Sequence, residues 1–150
     1  DLLRNLIFQL LHYTRKLIPA SKAAKPHANA NQRITYLFLE LLERQFPVES
    51  PGQRIQFRSP SEFAGQLAVH VNHLNRAVKE VTEKTTSEII AARILQEAKI
   101  LLKQTVWNVS EIAYALGFKE PTHFSNFFRK NMPMTANRFR ETDDTLHAGE

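Results

Sequence analysis

With 150 residues, 43% of them apolar, and only four glycines, the chain can hold one full domain plus something smaller around a packed core. It has no cysteine, which excludes a disulfide framework and a thiolate zinc site, and no run approaches the ~18 apolar residues of a membrane helix. The net charge of +5 is a mild sign of a polyanionic partner, and it is unevenly spread: residues 58–140 carry 12 basic against 7 acidic side chains, while 141–150 hold Glu141, Asp143, Asp144, Glu150 and no Lys or Arg.

Residues 1–18 read as an amphipathic helix with Leu2, Leu3, Leu6, Ile7, Leu10 and Leu11 as its apolar stripe. The start carries Asp1 in place of a basic segment, so no secretory signal is visible, and the lack of an initial methionine leads us to expect a longer parent chain. Residues 19–31, with Pro19, Pro26 and small polar residues, read as a loop. A second helix is expected from about Gln32 to Gln45, with Ile34, Leu37, Phe38, Leu41 and Leu42 on one face. Pro47, Pro51 and Gly52 end it and begin a linker to about Arg58. Two such helices cannot bury both stripes alone, so they should pack on each other, on the following domain or on a second copy.

Ser59-Pro60-Ser61-Glu62 is a helix start with N-cap, proline at the first turn and a capping-box glutamate. Phe63, Ala64 and Leu67 follow, then a turn at 68–70, then a helix with Leu74, Ala77, Val78 and Val81 facing inward. Thr85-Thr86-Ser87-Glu88 is another capping box and opens a long helix to about Gln104, roughly 28 Å at 1.5 Å per residue. Its stripe is Ile89, Ile90, Ile94, Leu95, Ala98, Leu101 and Leu102. Asn108 or Ser110 caps the next helix, which carries Ile112, Ala113 and Leu116. Gly117 ends it in a sharp reversal, because glycine takes φ > 0 without a Cβ clash. Glu120 is the expected N-cap and Pro121 the first residue of a helix burying Phe124, Phe127 and Phe128. A short helix at 134–140 closes that core with Phe139. Over 59–140 the pattern predicts seven helices in two subdomains around the long helix, and an all-α fold.

The two halves repeat. Ala64…Leu67…Leu74…Val78-Lys79 parallels Ala113…Leu116…Phe124…Phe128-Arg129, with one more residue in the second turn. Ala68 stands where Gly117 stands, so the first turn should be less sharply left-handed. Each half is helix, turn, helix, and the outward faces hold Asn72, His73, Asn75, Arg76 and Lys79 in one, Thr122, His123, Ser125, Asn126, Arg129 and Lys130 in the other. Such faces suit helices laid in the DNA major groove, and two of them could cover adjacent grooves from one side of the duplex. A helical hairpin within an all-α protein-interaction module has the same outline; there, exposed apolar anchors would be expected on these faces.

Residues 59–140 resemble the DNA-binding domain of the AraC/XylS family of bacterial transcription regulators. The resemblance is carried by Ile112-Ala113…Leu116-Gly117-Phe118…His123-Phe124-Ser125…Phe128-Arg129-Lys130 and by Arg93…Ala98-Lys99…Leu101-Leu102 before it. It implies two helix-turn-helix subdomains joined by a long linker helix, homeodomain-like and preceded here by an antiparallel helical pair. It places base-reading residues at Asn72, Asn75, Arg76, Thr122, Ser125 and Asn126. His73, Lys79, His123, Arg129 and Lys130 are then expected at phosphates. The chain departs from the family at Glu83 and Pro133, where Gly is usual, at Thr86 and Ala136, where Pro is frequent, and at Val78, where Phe is usual.

The expected organisation is therefore a helical segment over 1–57, resembling the tail of an effector or dimerisation domain, a DNA-binding domain over 58–141, and an acidic flexible tail over 142–150. The expected partners are double-stranded operator DNA, RNA polymerase and a second copy through residues 1–45, with no membrane. Action as an activator in the bacterial cytoplasm, at the nucleoid, follows from the same resemblance. No cofactor, metal or enzymatic activity is expected: His70 and His73 lack a cysteine or carboxylate pair to complete a site, and Ser61-Glu62 and Ser110-Glu111 are capping residues rather than dyads. Trp107, Arg93 and Lys99 read as structural or solvated.

Overall fold

The computed structural model describes residues 26–142, which form seven helices and no strand: α1 (Pro26–Glu43), α2 (Pro60–Gln66), α3 (Val71–Thr82), α4 (Thr86–Gln104), α5 (Val109–Ala115), α6 (Pro121–Asn131) and α7 (Ala136–Glu141). The expected helix at 1–18 and the acidic end beyond Thr142 lie outside the described residues. Local chemistry sets most helix starts. The Thr85 hydroxyl accepts from the Glu88 N–H at 3.1 Å while the Glu88 carboxylate accepts from the Thr85 N–H at 2.8 Å. That backbone hydrogen bond holds the Glu88 carboxyl below its ordinary range, with the Thr85 hydroxyl and nearby Lys79 and Lys84 adding to it. Asn108 and Glu111 close the same reciprocal pair at α5. At α2 only half of the expected box forms. The Ser59 hydroxyl accepts from the Glu62 N–H, but the Glu62 carboxylate turns to the Arg58 N–H instead.

Helix α4 is shared. Helices α3, α5 and α7 all pack on it. Its middle meets the upstream chain, where Arg93 donates to Glu43 at 2.7 Å and Glu97 accepts from the Val48 N–H at 2.9 Å. Its last turn meets α7, where Arg140 donates to the Leu102 carbonyl at 3.0 Å. Helix α1 meets the first unit through a ring contact. Phe38, fully buried, meets Phe63 edge-on at 5.2 Å. In the second unit a run of rings, Phe118–Phe124–Phe128–Phe139, continues at 5.4, 6.0 and 5.6 Å. Each fully buried Phe contributes about 1.5–3 kcal/mol by leaving water.

Several expectations are corrected. Residues 26–31 are helical, not loop, because Pro26 sits in a first turn where its missing N–H is no loss. The helix stops at Glu43 rather than Gln45. Residues 59–140 hold six helices, not seven; the seventh is α1, upstream. Residues 44–58 are more than a linker: Phe46, Val48 and Ile55 are buried in the common core. Leu37 and Val81, expected inside, are each 42% exposed, and Thr35 takes the buried place on α1. Phe127 is only part-buried, at the edge of the ring cluster 5.3 Å from Phe118. The last helix begins at Ala136, two residues later than expected, with Thr135 as its N-cap.

The turn at Ala68 is also left-handed, at a smaller φ than the +82° of Gly117. Its φ is +55°, and Glu83 ends α3 at +63°. An L residue there carries a Cβ against the following carbonyl, costing about 1–2 kcal/mol. Both residues are exposed, so nothing crowds a replacement. Ala68→Gly and Glu83→Gly should each raise stability by about 0.5–1 kcal/mol, the relief of strain exceeding the added unfolded-state entropy. Urea unfolding of each variant is the check. A loss of stability in both would show that these turns are not strained.

Candidate nucleic-acid interface

Helices α3 and α6 each bury one apolar face and leave the opposite face open. On α3, Leu74, Ala77 and Val78 are fully buried, while Asn72, His73, Asn75, Arg76 and Lys79 are exposed. On α6, Phe124 and Phe128 are fully buried and Thr122, His123, Asn126, Arg129 and Lys130 are exposed; Ser125 is half-buried. All eleven expected contact residues thus lie on these two helices, with Ser125 the least accessible. Arg76 and Asn126 occupy equivalent places, two residues past the buried Leu74 and Phe124. That offset turns a side chain about 200° away from the core.

Among the described residues, ten of the eleven side chains form no hydrogen bond or ion pair inside the protein. Lys79 is the exception: its ammonium donates to the Glu83 carbonyl at 2.8 Å and so helps close α3. The contrast with α1 is useful, since there Arg44 is paired with Glu40 at 2.7 Å one turn away. On α3 and α6 the polar side chains of the open faces, Lys79 apart, have no such partner among the described residues. Asn75, Arg76 and Lys79 also line one concave surface with Thr85, Thr86 and Ser87 of the α4 start.

Two features that orient these helices were not read from the sequence. His70 is the N-cap of α3, its Nδ1 accepting from the Asn72 N–H at 3.1 Å. Histidine is not a usual capping residue, so no motif announced it. Conversely Glu120 stands at the N-cap of α6 but its side chain makes no capping bond, leaving Pro121 to fix the start. The second feature is Arg58. Its guanidinium lies 3.8 Å over the Phe118 ring and donates from Nη1 to the Gly117 carbonyl at 2.9 Å. Burial lowers its pKa from the ordinary arginine value, with the Glu62 charge opposing. Trp107 packs against the core and Arg93 is buried in an ion pair. Among the described residues no cluster of metal-ligating side chains occurs, and no helix is long and apolar enough to cross a membrane.

The comparisons with known proteins agree with this geometry. A family described as a helix-turn-helix domain matches residues 63–142. The transcriptional activator RhaS of Klebsiella pneumoniae is 28% identical over 141 residues, covering 94% of this chain and 46% of that protein. The chain therefore spans about half the length of such relatives. Among solved structures, an AraC-type transcriptional regulator from Chromobacterium violaceum superposes with a TM-score of 0.59 at 23% identity, over 81% of this chain and 99% of that one. The DNA-binding domain of AdpA, solved with a target DNA, gives 0.57 at 19% identity, over 71% and 88%. At these identities the two structures speak for the fold.

Proposed function

The chain belongs to the AraC-type helix-turn-helix family of DNA-binding transcriptional regulators, and on that premise we propose that α3 and α6 read two adjacent major grooves of one duplex. The observation that carries this reading is the pair of open polar faces, whose side chains, Lys79 apart, find no hydrogen-bond or ion-pair partner among the described residues. Asn72, Asn75 and Arg76 read bases in the first groove; Thr122, Ser125 and Asn126 read the second. His73, Lys79, His123, Arg129 and Lys130 hold phosphates. The DNA-reading domain is residues 58–141, with an acidic tail over 142–150 and an effector or dimerisation domain leading in through 1–57. Leu37 and Leu39, exposed on α1, favour a second copy bound through residues 1–45. RhaS is described as a transcriptional activator, which supports activation; RNA polymerase as the partner and the bacterial cytoplasm, at the nucleoid, as the place complete the proposal. The chemistry is binding, not catalysis.

The readers differ in what they can recognise. The Arg76 fork matches the O6/N7 edge of guanine, and the Asn126 amide matches the N6/N7 edge of adenine. Arg76→Ala and Asn126→Ala should each cost about 1–3 kcal/mol at the preferred site and relax specificity at base pairs about one helical turn apart. Lys130→Ala should weaken all duplexes alike and lower the salt dependence, because a phosphate contact carries no sequence information. A binding selection on randomised duplex with each variant is the measurement. Equal loss on every sequence for Arg76→Ala and Asn126→Ala would mean these helices are not the readers. A protein-interaction module would show no salt-dependent duplex binding at all.

A further inference from the structure

The five residues before Ser59 do something that a connecting segment need not do. They cross to the second helix-turn-helix unit and close the end of its first helix. The Arg54 Nε donates to the Tyr114 carbonyl at 3.1 Å, the Ile55 N–H to the Ala115 carbonyl at 3.0 Å, and the Arg58 Nη1 to the Gly117 carbonyl at 2.9 Å. The last carbonyls of a helix have no partner within it, so Ile55 and Arg58 supply the bonds that the Ala115 and Gly117 carbonyls do not find in α5 and its turn. Arg54 adds a second donor to the Tyr114 carbonyl, which also accepts from the Gly117 N–H at 3.0 Å. The same segment is tied to the first unit. The Arg58 N–H donates to Glu62 of α2. The Gln45 side-chain carbonyl accepts from the Gln56 and Phe57 N–H groups at 2.9 and 2.7 Å.

Arg58 is the point where the two sets of ties meet. Its guanidinium covers Phe118, and Phe118 packs on Phe124 and Phe127 of the reader helix α6. From α2 to α6 there is thus a continuous path of direct contacts that bypasses α4. Helix α4 packs against helices of both units, and this path joins them a second time through residues that are not part of α4.

We propose that residues 54–58 are a second tie between the two helix-turn-helix units, and that Arg58 is a positioning residue fixing the distance between α3 and α6 and hence the half-site spacing accepted on DNA. The inference rests on the reading of α3 and α6 as the DNA-reading helices. Its structural half can be tested without DNA. The chain has no cysteine, so Asn75→Cys with Asn126→Cys places one spin label on each reader helix. Pulsed electron resonance should give a narrow distance distribution, and adding Arg58→Met should broaden or shift it while the helical spectrum and cooperative unfolding are retained. Methionine keeps an unbranched apolar stem and loses both the bond to Gly117 and the cation over Phe118.

The functional half uses the duplex recovered by the wild-type chain from randomised DNA, with its two half-sites moved apart by one base pair. The wild-type chain should lose about tenfold or more in affinity, the scale of one or more lost base contacts, and Arg58→Met about threefold or less. Single half-sites should bind both proteins alike. A distance distribution unchanged by Arg58→Met, or equal loss by both proteins on the displaced duplex, overturns the proposal while leaving the two readers in place. Recovery of no preferred duplex by the wild-type chain overturns the reading of α3 and α6, and the spacing role with it.

Discussion

Arg93→Ala should lower the stability of the chain by about 3–5 kcal/mol, a large part of the ~5–15 kcal/mol of an ordinary domain. Arg93 is 8% exposed and holds two carboxylates, Glu43 at 2.7 Å and Glu97 at 3.1 Å, with its guanidinium 4.0 Å over the Phe46 ring. Glu97 is 1% exposed, and its other oxygen accepts from the Val48 N–H. Removing the arginine leaves a carboxylate in the core with one backbone donor and no cation. Glu43 matters less because it is 27% exposed and can be hydrated. Adding Glu97→Gln to Arg93→Ala should recover part of the loss, since the amide oxygen still accepts from Val48 without a buried charge. Urea unfolding of the single and double variants measures this. If the double variant is no more stable than Arg93→Ala, the uncompensated charge is not the source of the loss.

Gly117→Ala should cost about 2–5 kcal/mol, from about 1–2 for the left-handed backbone and about 1–3 for crowding. Gly117 has φ +82°, and a Cβ built there would stand 2.9 Å from Arg58 Cδ and 3.2 Å from both the Ile55 carbonyl oxygen and Ile55 Cγ1. The arginine cannot simply swing away, because Gly117 itself accepts its Nη1 bond and Phe118 lies under its plane. The first unit supplies an internal control. Ala68 holds the equivalent place at φ +55° and is exposed, so it carries the backbone strain without the crowding. Denaturant titration is the check, and a loss below about 1 kcal/mol would place the strain at no more than what Ala68 already tolerates.

What could be read from the sequence is what depends on residues three or four apart. Thr85–Glu88 and Asn108–Glu111 are pairs of that kind, and the start of α4 at Thr86 follows from the first of them. The open faces of α3 and α6 follow from helical period in the same way. Edges of a face were harder: Leu37 and Val81 sit where the period says inside, but no neighbour covers them. Residues 44–58 were the least legible. Pro47, Pro51 and Gly52 announce that a helix stops and are silent on where irregular chain then goes. Its bonds reach 49 residues to Glu97 and 60 residues to Tyr114, and no local pattern encodes those separations. Arg58 looked like the residue before a cap; its role appears only when Gly117 and Phe118 come beside it.

Sharing α4 also decides what kind of object this protein is. Zinc fingers can be strung in any number because each module closes its own core. Here one face of a single helix supplies Ile90 and Ile94 near its start and Leu101 and Leu102 near its end, with all four side chains in one continuous cluster. Cutting the chain within α4 would leave each half with an open apolar side. The two helix-turn-helix units are consequently not portable parts. Neither can be lifted into another scaffold, duplicated or reordered without the other, and on the reading proposed above new specificities would come from substitutions on the exposed faces of α3 and α6 rather than from shuffling units.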